Sequence, residues 1–259
     1  VVLTGYDNYF SCGGTKDSLV AIQAGKVKFT DVPIYSLPME ASVPVIAAMQ
    51  GHGIGAGWSL GMFCDCTIHS EKHTYVSPYI GYGFTPGAGS TLTFPEKFGL
   101  DLGREILFSA QQYTGSELRR RGAAVPVVPA EGVQPLALRL AAALATLPRD
   151  VLQKMKQDSV ARLKARLPQA LAQEQALHQR CFVGNQDVLD RIQSNFNEGF
   201  SMENQPSAHA GTDLRQDRAL ADALRDTLRE LLAEELFMDA SQIDGKQKFI
   251  DIGLDSITG

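Results

Sequence analysis

Twice before residue 64 a short apolar run gives way to a glycine-rich turn and then to a helical pattern. Val1-Val2-Leu3-Thr4 is a strand candidate, punctuated by Gly5-Tyr6-Asp7-Asn8. Gly13-Gly14 then leads into a helical pattern from about Thr15, with Leu19, Ile22 and Val27 apolar. Val43 to Met49 is a second strand signal, broken only by Pro44. It runs into Gly51-His52-Gly53-Ile54-Gly55-Ala56-Gly57 and a buried-looking helix with Leu60, Met62 and Phe63. Both turns, Phe10-Ser11-Cys12-Gly13-Gly14 and Gly51 to Trp58, place flexible backbone between a strand and a helix. There the first helical N–H groups have no internal acceptor. Two such N–H groups converging on one point would polarise a carbonyl oxygen and hold an enolate, with the helix dipole assisting. Each turn taken alone reads as a structural turn.

Further along, Cys66 to Ile68 and Thr74 to Val76 read as short strands, and Pro86-Gly87-Ala88-Gly89 opens a helix carrying Leu92 and Phe94. From about Leu102 the pattern turns to helices over 102–111, 116–121, 133–146, 149–166 and 168–181. Strand–turn–helix units followed by a helical tail predict an α/β domain with a helical appendage. A polar run rich in Asn, Gln, Ser and Gly marks residues 201–215 as a linker between a unit at 1–200 and a smaller piece at 216–259. In the latter, residues 219–236 form an amphipathic pattern with leucines at 220, 224, 228, 231 and 232. Val1 is not a start methionine and Gly259 follows directly on a helix start, so the chain reads as cut at both ends.

The charge balance excludes some partners. A formal charge of -5 without a Lys/Arg block argues against nucleic acid and anionic membrane. No apolar run is long enough to span a bilayer and no signal peptide opens the sequence. Four scattered cysteines, Cys12, Cys64, Cys66 and Cys181, suggest reduced thiols and a cytoplasmic protein.

Together and in this order, the two glycine turns, Cys64-Asp65, Pro86-Gly87-Ala88-Gly89 and the helical tail resemble the crotonase (enoyl-CoA hydratase/isomerase) superfamily, over residues 1 to about 200. The resemblance implies a spiral of strand–strand–helix (ββα) repeats, assembled as a homotrimer or a dimer of trimers through the C-terminal helical tail, with first strands upstream of Val1. It implies oxyanion-hole N–H groups at Gly14 and Ala56. It also exposes departures. The positions of the two glutamates that handle water in the family's hydratases are Ser59 and Tyr79 here, and neither can act as a carboxylate base at neutral pH.

Lys16 opposes the helix dipole from the first turn, and as a lone residue it reads as a solvated surface lysine. Tyr9-Phe10-Ser11-Cys12-Gly13-Gly14-Thr15-Lys16 is, however, similar to the decarboxylase branch found in the HMG-CoA-synthase-type cassettes that install β-branches on polyketides. By that resemblance Lys16 is catalytic and meets the substrate's free carboxylate. The same branch takes a second catalytic group from a C-terminal helix; His178 is the positional candidate and His52 the fallback. Cys64-x-Cys66-x-x-His69-x-x-x-His73 offers zinc-type ligands, but strand alternation would send Cys66 and His69 to opposite faces, so no metal site is expected.

Phe249-Ile250-Asp251-Ile252-Gly253-Leu254-Asp255-Ser256-Ile257 resembles the prosthetic-group site of acyl carrier proteins. It implies covalent 4'-phosphopantetheine on Ser256, although Asp-Ser is also an ordinary helix N-cap. No cofactor is expected for the crotonase-like domain. The expectation is a decarboxylase of a carrier-bound 3-methylglutaconyl-type thioester, working beside other polyketide synthase modules. The rivals are a hydratase/dehydratase or isomerase of the same fold acting on a CoA- or carrier-bound thioester, and a non-catalytic structural module.

Overall fold

A computed structural model describes residues 1–31 and 34–197. The linker, the amphipathic segment and Ser256 lie outside the described residues. In chain order come β1 (Val2–Thr4), β2 (Tyr9–Ser11) and α1 (Lys16–Gln23). A 3-10 turn then leads into the short α2 (Leu37–Glu40), followed by β3 (Ile46–Met49), β4 (His52–Ile54) and α3 (Ala56–Met62). Next are β5 (Cys66–Ser70), β6 (Thr74–Val76), a 3-10 turn at Tyr79–Tyr82, α4 (Ser90–Phe98) and α5 (Leu100–Ser109). β7 (Gln112–Thr114), α6 (Gly115–Arg120), β8 (Val127–Val128), α7 (Ala130–Ala145), α8 (Arg149–Cys181) and α9 (Gln186–Asn197) complete the order.

Each repeat gives one strand to each of two sheets. One sheet runs β1-β3-β5-β8, all parallel; the other runs β2-β4-β6-β7, with only β7 antiparallel. β3 explains why the sheets are sandwiched. All four of its residues are buried, as in a strand covered on both faces. Ile46 and Ala48 face Val133 and Ala137 of α7, while Ala47 and Met49 face Trp58, Phe94 and Tyr75. Trp58 is wholly buried and donates its indole N–H to His69 Nε2 at 3.4 Å. This is the α/β crotonase-like spiral with its helical tail.

The tail is tied to the body by charge. Lys156 of α8 donates to both Asp65 carboxylate oxygens at 2.8 and 2.6 Å and to Pro38 O at 2.9 Å; Asp65 also accepts from Val45 N at 2.7 Å. The lysine side chain is 1% exposed, so the ion pair is shielded from solvent screening.

Pro168 does not divide the tail. Where the pattern predicts helices at 149–166 and 168–181, one helix runs from Arg149 to Cys181. Pro168 and Lys164 are both exposed, so the carbonyl that loses its N–H partner can turn to water and the helix tolerates the ring. The strands β2, β4, β7 and β8 and the helix α9 are further elements that the sequence pattern does not single out.

Candidate active site

The two glycine turns meet because their strands pair. β2 and β4 lie parallel, with Tyr9 opposite His52 and Ser11 opposite Gly53 across a local irregularity. The chain leaving each strand therefore turns at the same place. A Cβ on Gly13 would stand 3.0 Å from Ile54 O and 3.5 Å from Ala56 N, and one on Gly57 would stand 2.3 Å from Ser11 O. Gly55 takes φ +54°, which a side chain would strain. Thr15 caps α1 by accepting from Ser18 N at 3.2 Å, leaving Lys16 as the first helical residue, half-buried and two positions from Gly14. Ala56 opens α3, where its N–H has no acceptor within the helix.

Ser59 and Tyr79 converge on this meeting point. Ser59 is fully buried and donates to Gly55 O at 3.3 Å, one helical turn back. The space that a Gly55 side chain would fill is ringed by Gly13 Cα and Tyr79 Oη, each 3.6 Å from the missing Cβ, and Pro78 Cδ at 3.7 Å. Burial pushes the Tyr79 phenol well above its ordinary range. The neighbouring Ser59 hydroxyl pulls slightly the other way, but it is not in hydrogen-bond geometry with Tyr79 Oη. Both residues that the family resemblance sets at the glutamate positions present neutral hydroxyls.

His178 comes from the last turns of α8. Its Nε2 lies 2.8 Å from Thr85 O, and the ring packs against Phe29 at 4.9 Å between centroids. Phe29 also meets Tyr79 edge-on at 6.5 Å, and Phe84 meets Tyr79 at 5.7 Å and His178 at 6.3 Å, so two aromatic rings link the histidine to the phenol. Burial lowers the His178 pKa, while the Thr85 and Pro86 carbonyls partly restore it. With Nε2–H given to Thr85 O, the neutral ring keeps a basic Nδ1.

One turn earlier on the same helix face, Glu174 is a residue that the sequence reading passes over. It is 2% exposed and accepts from Gly89 N (2.8 Å), Thr91 N (3.0 Å) and Thr91 Oγ1 (2.5 Å), holding the start of α4. Burial raises its pKa against these three donors. Its i, i+4 relation to His178 was the available signal. Glu174 and His178 grip opposite ends of the 85–91 loop and border a narrow cavity with Phe29, Ala88 and Leu171.

His52 lies elsewhere on the second turn, at the start of β4. Its Nδ1 accepts from Thr74 N at 3.0 Å, and its ring meets His73 edge-on and Tyr9 at a tilt. His69 is wholly buried whereas Cys66 is exposed, on opposite faces of β5. Among the described residues no three His, Cys, Asp or Glu side chains group as metal ligands, and no helix is long and apolar enough to cross a membrane.

A two-sheet ββα spiral in which two glycine turns meet beside Ser59 and Tyr79 defines a crotonase-like fold. The chain belongs to the enoyl-CoA hydratase/isomerase family, whose model matches residues 1–198. It is 45% identical to the bacillaene synthase decarboxylase PksI of Bacillus subtilis over 74% of this chain and 77% of that protein. It is 28% identical to the 2,3-dehydroadipyl-CoA hydratase of Escherichia coli, over 68% and 69%. Among solved structures, a member of a dehydratase/decarboxylase enzyme couple involved in polyketide β-branching superposes with a TM-score of 0.73 at 45% identity, covering 74% of this chain and 76% of that one. The ECH2 decarboxylase domain of CurF from Lyngbya majuscula superposes with a TM-score of 0.71 at 37% identity, covering 75% and 79%.

Proposed function

We propose that the chain decarboxylates a carrier-bound 3-methylglutaconyl-type thioester. The observation that carries this reading is the pair Ser59 and Tyr79. At the meeting of the glycine turns they offer hydroxyls where a hydratase needs carboxylates, and the nearby Glu174 is committed to three donors of the α4 start. The likeness to β-branching decarboxylases supports it. In the proposed reaction the C–C bond to the free carboxylate breaks and CO2 departs. The electron pair enters the conjugated thioester as a dienolate. The N–H groups of Gly14 and Ala56 hold its oxygen, Lys16 orients the carboxylate, and a proton drawn from solvent reaches carbon through His178. The thioester is the electron sink, so the chemistry requires no redox partner.

Two further parts of the proposal concern assembly. Ser256 carries 4'-phosphopantetheine, tested by the mass that a phosphopantetheinyl transferase adds to the full carrier domain and not to Ser256→Ala. The domain works as a homotrimer beside other synthase modules, tested by light scattering. The decisive experiment for the activity is mass detection of product from a pantetheinyl 3-methylglutaconyl thioester. Lys16→Ala is expected to lose CO2 release while melting as the wild type does. If it kept more than about a tenth of the turnover, a barrier change of only ~1.4 kcal/mol, the role of Lys16 would be wrong. Efficient hydration of an enoyl thioester by the wild type would instead make the chain a hydratase.

A further inference from the structure

Tyr79 carries a hydroxyl that the protein itself does not use. The residue is 5% exposed, and its Oη has no hydrogen-bond partner among the described residues. Tyr75, equally buried, shows the ordinary arrangement: its hydroxyl donates to Met49 O at 2.8 Å and accepts from Ser70 N at 2.9 Å. Phenylalanine would fill the Tyr79 site without stranding a polar atom, and a stranded buried hydroxyl costs stability. The ring is also fixed in direction. Phe84 at 5.7 Å and Phe29 at 6.5 Å confine it, and Pro78 sets the chain just before it. So confined, the oxygen points into the gap between Gly13 and Gly55, a gap that exists because residue 55 has no side chain.

We propose that Tyr79 Oη–H is a catalytic hydrogen-bond donor to the bound acyl thioester, aimed at the oxygen on which negative charge gathers as CO2 leaves. The inference rests on the decarboxylase reading and adds a third donor to the N–H groups of Gly14 and Ala56. Burial keeps the phenol protonated throughout the neutral range, so it acts as a donor and not as a base. A donor of this kind gains strength as charge builds, so its removal falls on kcat and leaves KM nearly alone.

The test is Tyr79→Phe, with kinetics on the pantetheinyl 3-methylglutaconyl thioester and thermal unfolding on the same preparation. The expected result is a kcat lower by about 10- to 100-fold, a KM within about threefold, and a melting midpoint equal to or above that of the wild type. A normal kcat overturns the inference, and so does a slow enzyme with a lowered midpoint, which would assign the hydroxyl to the fold. Should the phenylalanine variant not fold, 3-fluorotyrosine at position 79 keeps the O–H and strengthens it as a donor. It should hold kcat at or above the wild-type value, and a fall as deep as that expected for phenylalanine would overturn the proposal. Failure of the wild type to release CO2 would strike the decarboxylase reading first, so the two ideas fail separately.

Discussion

Gly87→Ala is the sharpest probe of His178, because it moves the histidine without touching its chemistry. A Cβ at position 87 would stand 2.7 Å from His178 Cε1 and 3.4 Å from both His178 Nε2 and Phe29 Cδ2. Carbon atoms pack comfortably at roughly 3.5–4.0 Å, so the ring must retreat by about 1 Å. The room for that is small. Phe29 stands 4.9 Å away, Phe84 and Phe182 stack at 4.0 Å nearby, and Thr85 O holds Nε2 at 2.8 Å. Overpacking of this kind costs ~1–3 kcal/mol of stability. A displacement of ~1 Å in a group that must meet a reacting carbon can cost on the order of 100-fold in rate. We expect Gly87→Ala to fold, to melt a few degrees lower, and to lose about 10- to 100-fold in kcat for decarboxylation. The assay is single-turnover product mass, run beside His178→Gln. A Gly87→Ala enzyme within a factor of two of wild type, when His178→Gln is also near normal, would show that His178 plays no part in the chemistry.

Three further outcomes follow from other features. Lys156→Ala leaves the half-buried Asp65 without its partner and should cost ~3 kcal/mol in urea unfolding, whereas Lys156→Met with Asp65→Asn should recover most of it; equal losses in both would remove the ion pair from the account. Burial lowers the pKa of His52, takes His73 down to about 4 and takes His69 down to about 3. Below pH 6.5 the unfolded chain therefore takes up protons that the folded protein refuses. The stability present above pH 6.5 should drain away as pH falls toward 4, and a urea midpoint flat between pH 7 and 4.5 would contradict the shifts. Ser59→Glu places a carboxyl at a fully buried position, where much of it should stay neutral; decarboxylation should drop sharply without hydration appearing, and hydration by that single variant would refute the water-free reading of the cleft.

Much of the framework was legible because it is written in local chemistry. Thr74 to Val76 is a strand at its expected bounds, and the helix expected from Thr15 begins one residue later with Thr15 as its cap. Gly13, Gly55 and Tyr79 are far apart in sequence but come to one place, because parallel strand pairing brings the two glycine turns together. The elements that escaped notice are those whose signals are weak or masked. β2 and β4 are three residues long, and β4 sits inside a glycine cluster that reads as a turn. Pro168 looked like a helix end because a sequence does not say whether the freed carbonyl faces water. Glu174 escaped because a glutamate on a long charged helix looks solvated. Only the fold reveals that it faces the start of α4 instead.

The continuity of α8 makes the helix a hereditary unit. It is pinned near its beginning by Lys156 and reaches the cleft with Glu174 and His178 some 18 to 22 residues later, a rise of roughly 27–33 Å at 1.5 Å per residue. The glycine turns and the histidine are thus encoded in separate stretches of the gene, and recombination between them can exchange one without the other. Grafting a hydratase's tail onto this body would leave the glycine turns in place and remove both Glu174 and His178. The reverse graft would deliver a histidine into a cleft that still holds two glutamates. Under the proposed mechanism the first chimera loses its proton path, so this body depends on a tail that carries the histidine.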